Sequence, residues 1–316
     1  MDEPRLRFSR DCDGVDDSRQ RHARRASAGL DERVARGVYV DGEEWRASTA
    51  GAQYRTRIRA VAETRRFRAV VSHASAAALH RIPVLGEWPH DVHLTVGATK
   101  GGKSRGSVVK HCVPLDDADV VEIDGLLVTS VARTVVDLAG ASTFMSAVVS
   151  ADHALHAQRL GSQAPRATIE ELFETFVRHA PMRAHAKVLR VLEFAVPASD
   201  SPLESVSRVN MCVIGCPQPT LQQRFDDHRG LIGFSEFYWR EFALVGEADG
   251  KAKYTDPRYR RGRSLEQVLL DEKDRADRIR ATGTDVSRWG WSIGISPSKL
   301  RAHLVAAGLP MGRTWQ

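Results

Sequence analysis

The sequence predicts a mixed α/β protein built from three units, and three observations carry that expectation. Strand-like and helix-like periodicities alternate along the 316 residues rather than segregating into runs of one kind. Two short apolar segments, 234–239 and 242–245, flank a polar Arg240-Glu241 corner and end near acidic residues, as paired strands do. Upstream, Pro197-Ala198-Ser199-Asp200-Ser201-Pro202 has the composition of a linker. The predicted boundaries are 1–50 for a small basic head, 51–197 for an α/β domain with a helical tail, and 198–316 for a C-terminal α/β domain with a mixed sheet.

In the head, Asp16-Asp17-Ser18 supplies N-cap candidates for a helix through Arg25, which Gly29 stops. Residues 30–35 predict a second short helix, and Arg36-Gly37-Val38-Tyr39-Val40 a turn and a strand. A helix pair followed by a small β-wing is the layout of a winged helix-turn-helix. Arg21, Arg24 and Arg25 on the first helix are the candidate contacts to DNA phosphates, the alternative being a solvated helix face.

The middle region opens with a helix over 53–66, a short strand at Ala69-Val70-Val71 and a small-residue helix over 72–80. Three strand candidates follow, at 92–96, 108–113 and 120–128, the last with an Asp124-Gly125 turn inside it. The connection 97–107 carries Lys100, Lys103 and Arg105 but lacks the spacing of a phosphate-binding loop. Thr129-Ser130 caps a helix on which Arg133 and Asp137, four residues apart, form a structural ion pair. Residues 143–195 read as wholly helical. His153 and His156, which follow Asp152 within them, have metal-ligand spacing but no further acidic or Cys ligand nearby, and read as helix-face histidines.

The C-terminal region carries the chemistry. Ser201-Pro202-Leu203-Glu204-Ser205 is a helix start with proline in the first turn. Glu236 lies on the first apolar segment, and Glu247-Ala248-Asp249-Gly250 closes the second, followed by Lys251 and Lys253. Acids at alternate strand positions share a side, and clustered carboxylates call for a hard cation or protons. A solvated Asp-Gly turn is the competing interpretation of the same residues. Residues 266–280 form a charged amphipathic helix.

This order of helix, acid-bearing strands and basic helix matches the PD-(D/E)XK nuclease core. From about 201 to 308 the chain resembles restriction-endonuclease-like domains related to very short patch repair endonucleases. The matching residues are Ser201 to Ser205, Glu236-Phe237-Tyr238-Trp239, Glu247 to Gly250, Glu272-Lys273-Asp274-Arg275 through Ile279-Arg280, and Arg288-Trp289-Gly290-Trp291. The family usually has Asp where this chain has Glu236. The resemblance implies Mg²⁺ or Mn²⁺ held by Glu236, Glu247 and Asp249, with Glu204 tuning the site. Lys251 or Lys253 would orient the nucleophile, and Arg275 and Arg278 would contact phosphate.

Residues 15–140 resemble antitoxins of the AbiEi kind from type IV toxin–antitoxin systems. The resemblance rests on Gly37 to Val40, Ser72 to Ala77, Val92 to Val96 and the run from Gly125 to Asp137. It implies a winged-helix DNA-binding head that represses transcription, followed by an α/β regulatory domain; binding of a cognate toxin protein by the middle domain is a further, separate expectation.

The bulk properties agree with a DNA partner without requiring one: the net charge is +6, carried mostly by arginine, and the isoelectric point is about 9.3. No apolar run reaches membrane-spanning length, and the polar N-terminus has no signal-peptide core. The four cysteines are sparse, and Cys212 and Cys216 lack zinc-knuckle spacing, so they read as buried thiols of a cytoplasmic protein. Two functions follow as expectations: a DNA-binding regulator with a nuclease-like C-terminal domain, or a metal-dependent DNA endonuclease.

Overall fold

Three sheets organise the chain in a computed structural model, which describes residues 3–9, 18–65, 69–97, 104, 106–157, 164–249, 264–312 and 315. The chain is mixed α/β and divides into two units, residues 1–155 with 165–194, and residues 156–164 with 195–316. Among the described residues no helix is long and apolar enough to cross a membrane.

In the first unit, β1 (Arg7–Phe8), β2 (Asp31–Ala35) and β3 (Val38–Asp41) form an antiparallel sheet in the order β1-β3-β2. Helix α1 (Ser18–Ser27) runs almost directly into β2 through Gly29 at φ 70°. The helix expected over 30–35 is therefore a strand. Hairpin pairing overrides its helical propensity: Gly37 at φ 73° makes the turn, and Val34, Val38 and Val40 are buried together. Helices α2 (Gly42–Ala47) and α3 (Ala50–Glu63) follow, capped by Asp41 and Thr49.

The second sheet contains β4 (Val70–Val71), β5 (Val92–Val96), β6 (Val108–Cys112), β7 (Val120–Ile123) and β8 (Leu126–Thr129). Its order is β6-β5-β4-β8-β7. β7 and β8 are antiparallel across Asp124 and Gly125, both with positive φ, the hairpin geometry that an Asp-Gly pair favours. β5 and β6 are parallel. Helices α3 and α4 (His73–Leu79) cover a core of Tyr54, Ile58, Leu79, Leu94 and Val128. Ser130 caps α5 (Val131–Ala141). Among the described residues of 143–195 there are three helices rather than one continuous run: α6 (Phe144–Leu155), α7 (Ile169–Arg178) and α8 (His185–Phe194). Pro165 and Pro181 stand in the breaks, and a Thr168–Glu171 capping box restarts the chain as α7.

The second unit starts with α9 (Pro202–Val213), capped by Ser201. An antiparallel meander follows: β9 (Thr220–Asp227), β10 (Gly230–Trp239) and β11 (Leu244–Ala248). Helix α10 (Leu265–Ala281) precedes β12 (Asp285–Trp289), which lies parallel to β11 and completes the order β12-β11-β10-β9. A parallel pair requires such a crossover. Helices α11 (Trp291–Gly294) and α12 (Pro297–Ala306) end the unit. One sheet face buries Phe237, Trp239, Leu244 and Trp289 with Leu203, Leu300 and Leu304. The other buries Val245 with Phe225 and Ile279.

Gly246 sits where two indoles close over β11. A β-carbon there would lie 2.7 Å from Trp289 and 2.8 Å from Trp239. Gly246→Ala is expected to destabilise this unit by about 1–3 kcal/mol through overpacking. Chemical denaturation followed by tryptophan fluorescence checks it.

Candidate functional site

In the head, a single carboxylate fixes the basic helix. The Asp31 side chain is fully buried on β2 and accepts from Arg25 Nε at 3.0 Å, Arg25 Nη2 at 3.0 Å and Arg7 Nη1 at 3.2 Å. His22 Nδ1 lies 3.2 Å away, and the His22 ring stacks on Tyr39. The Arg25 hydrogen bonds hold the Asp31 carboxyl below its usual range despite burial. Arg25 is thus committed to a clamp between α1 and the hairpin. Arg21 and Arg24, three apart on one helical face, remain exposed.

In the second unit, the antiparallel register pairs Phe237 with Gly246, so the neighbouring Glu236 and Glu247 oppose each other and point to one face. Glu236 Oε2 accepts from the Ala248 backbone N–H. Glu247, only 4 % exposed, meets two guanidinium groups. Arg275 of α10 approaches with Nη1 at 2.9 Å from Oε2 and Nη2 at 2.7 Å from Oε1, while Arg288 of β12 places Nη2 at 3.3 Å from Oε2. Arg288 also reaches toward Asp249 and Glu272, at 3.8 Å each. Burial opposes the charge of Arg275, yet its acidic neighbours, Glu247 foremost, raise its pKa overall. The Asp249 backbone N–H donates to Trp289 O at 2.8 Å, tying the end of β11 to β12.

The other predicted site residues fall as follows. Glu204 is buried at the start of α9, where Oε2 accepts from the Asp200 backbone at 3.1 Å and Gln222 Nε2 at 3.1 Å, and Oε1 from Ser201 Oγ at 2.8 Å. Arg278, expected at phosphate, forks onto Asp227 at 2.8 and 2.7 Å and holds that carboxyl well below its usual range. Arg275, expected there too, is occupied by Glu247. Lys251 and Lys253 lie outside the described residues, as do Lys100, Lys103 and Arg105 of the earlier loop. His156 lies beyond the end of α6, 3.4 Å from Asp200, so it shares no helical face with His153. Cys216 is buried and Cys212 half-buried.

Sequence reasoning missed a histidine cluster in the first unit. His73 opens α4 at φ 53°, and its ring stacks on His111 of β6 with centroids 3.5 Å apart. His93 of β5 places Nδ1 3.0 Å from His111 Nε2. Burial lowers the pKa of His73 to about 3 and of His111 to about 4, and lowers that of His93. Asp137 Oδ2 lies 3.7 Å from His73 Nδ1 and accepts no hydrogen bond, and burial raises this carboxyl's pKa. The detectable signal was two histidines at same-face positions of neighbouring strands, but only the parallel β5–β6 register reveals that they meet.

The predicted Arg133–Asp137 pair forms at 2.9 Å and belongs to a larger buried network. Arg133 Nη1 lies 3.1 Å from Asp119 Oδ2, and Arg178 Nη1 lies 2.9 Å from Asp119 Oδ1. His179 Nε2 also contacts Asp119 Oδ2.

A resident Mg²⁺ or Mn²⁺ would need several oxygen ligands directed at one point. Among the described residues no group of three His, Cys, Asp or Glu side chains is arranged to hold a metal ion. Guanidinium groups instead crowd both oxygens of Glu247. These residues do not fit a resident divalent cation in this arrangement. No known protein family matches the chain, and no curated protein matches it either.

Proposed function

We propose that the protein is a DNA-binding regulator of the toxin–antitoxin or defence type, with a nuclease-like C-terminal unit that lacks a resident metal centre. The observation that carries this reading is the clamped α1. Asp31 seats the helix on the β2–β3 hairpin, with Arg21 and Arg24 facing outward. A rigid basic helix beside a two-stranded wing presents charge to a phosphate backbone without first paying to order it. The second unit supports the nuclease-like part: its helix, three-strand meander, crossover helix and parallel strand occur in PD-(D/E)XK order. The Arg275–Glu247 contact supports the absence of a resident cation.

The test is fluorescence anisotropy with a labelled duplex across a KCl series. Replacing Arg21 and Arg24 together with Ala should weaken binding and flatten the log–log salt slope by about 1.8, close to 0.9 for each phosphate no longer neutralised. An unchanged slope would leave these arginines as a solvated helix face and the regulator reading without its footing.

The endonuclease reading retains one specific observation, the shared face of Glu236 and Glu247. It would be favoured if wild-type protein nicked supercoiled plasmid with Mg²⁺ or Mn²⁺ while Glu247→Gln did not.

A further inference from the structure

Three arginines of the first unit converge on one carboxylate that belongs to no regular element. Arg55 and Arg59, four apart on one face of α3, donate through Nε to Glu3 Oε1 at 2.6 Å and Glu3 Oε2 at 2.8 Å. Arg81, just past the end of α4, places Nη2 3.8 Å from the same Oε1, too long for a hydrogen bond. Arg59 also reaches Asp124 in the β7–β8 turn. Burial opposes the charge of Glu3, yet the hydrogen bonds from Arg55 and Arg59 hold its carboxyl below the usual range.

Arg55 is only 8 % exposed, and a guanidinium withdrawn that far from water requires an anion beside it. The anion comes from residue 3, in a stretch that precedes β1 without helix or strand. Exchanging it for another anion breaks no ladder and no helical turn. Arg81 has φ 59°, at a helix end where the left-handed position ordinarily belongs to glycine. The chain thus accepts backbone strain to keep a third guanidinium where it forms no hydrogen bond with Glu3. Three guanidinium groups face an anion with two oxygens and a single charge. The outer side of the cluster is open, since the Arg81 side chain is 63 % exposed.

We propose that Arg55, Arg59 and Arg81 form a binding site for a dianionic phosphate monoester, and that Glu3 is a built-in occupant which such a ligand displaces. A monoester presents three terminal oxygens, one for each guanidinium, and a second negative charge that Glu3 lacks. A phosphodiester of a nucleic-acid backbone offers two free oxygens and one charge, no more than the carboxylate already in place. Arg55 and Arg59 hold the anion on α3, and Arg81 is the arm that distinguishes phosphate from carboxylate. Neither Arg21 nor Arg24 takes part, so this site and the DNA-binding reading of the head stand or fall separately.

The test is calorimetric titration of the full-length protein with inorganic phosphate and with dimethyl phosphate, in mildly alkaline buffer at ionic strength matched with chloride. Wild type, Glu3→Gln and Glu3→Gln with Arg81→Gln are compared. Glu3→Gln removes the competing charge and should bind inorganic phosphate about tenfold more tightly than wild type. Adding Arg81→Gln should abolish most of that gain, and dimethyl phosphate should show none of it. Phosphate should also raise the melting temperature of Glu3→Gln more than that of wild type. If Glu3→Gln fails to fold because Arg55 is left without a counter-charge, Glu3→Asp decides the matter. It keeps the charge but withdraws it by one methylene, and should still bind phosphate more tightly than wild type. Equal phosphate affinity in wild type and the Glu3 variant, whether both tight or both absent, would overturn the proposal. So would a gain that survives Arg81→Gln, or an equal gain for dimethyl phosphate, which would make the ligand a diester.

Discussion

Arg133→Met should destabilise the N-terminal unit by about 3–5 kcal/mol, the penalty for removing one partner from a buried ion network. Arg133 is 3 % exposed, and its guanidinium sits between Asp137 and Asp119, both buried. Methionine fills similar space, so little of the loss is cavity. What remains is two buried acids with their shared cation gone. Arg178 and His179 still reach Asp119, but nothing described replaces Arg133 at Asp137 Oδ1. Denaturant unfolding monitored by circular dichroism measures the cost. Asp137→Asn added to Arg133→Met should recover part of it, because the uncompensated charge is then removed. A loss below about 1 kcal/mol would show that the network is dispensable.

Mild acid should weaken the same unit through its buried histidines. His73 is neutral in the fold, with its pKa lowered to about 3 by burial and by its proximity to His93 and Arg133. His111 is lowered to about 4 by burial and by His73 and His93, with Asp137 acting the other way. His93 is lowered by burial, opposed by Asp91. In the unfolded chain each imidazole takes up a proton near pH 6.5. Below that value the unfolded state binds more protons than the folded one, so stability falls as pH drops and levels off only near the folded pKa values. The contribution is complete above about pH 7. For His73, whose side chain is only 11 % exposed, the loss at pH 5 is about 2 kcal/mol. Unfolding midpoints at pH 7, 6 and 5 test this, with His73→Gln expected to flatten the dependence. A midpoint independent of pH in that window would show that the stack tolerates protonation in place.

Local signals in the chain located most of the elements. The Asp124-Gly125 hairpin, the Ser130 and Ser201 caps, and the β10–β11 pair around Arg240-Glu241 all rest on residues whose preferences act over a few positions. Failures came where distant partners decide. Residues 31–35 are a strand because Val38 and Val40 pair with and bury them. β9, reading Thr-Leu-Gln-Gln-Arg-Phe-Asp-Asp, is too polar to announce itself and is ordered by its long ladder with β10. The candidate site divides the same way. Glu236 and Glu247 can be found by strand alternation, whereas the arginines that neutralise Glu247 come from positions 275 and 288, so no short window contains both charges. The histidine stack likewise joins positions 73, 93 and 111 through one parallel register.

The parallel placement of β12 has a consequence for the order of events in folding. β9, β10 and β11 are neighbours in sequence and close by short connections, whereas β12 must wait for the crossover and α10 to be traversed. Loop-closure entropy therefore delays β12. Arg288 travels with it, and Glu247 stays hydrated in any species that holds only the meander. In the reverse direction, β12, an edge strand, is expected to open ahead of the β10–β11 pair. Native-state hydrogen exchange should find its ladder amides and that of Asp249, which bonds Trp289 O, exchanging ahead of those between β10 and β11. Neutralisation of Glu247 by Arg288 is then a late folding event, reversible by sub-global opening while the meander stays intact.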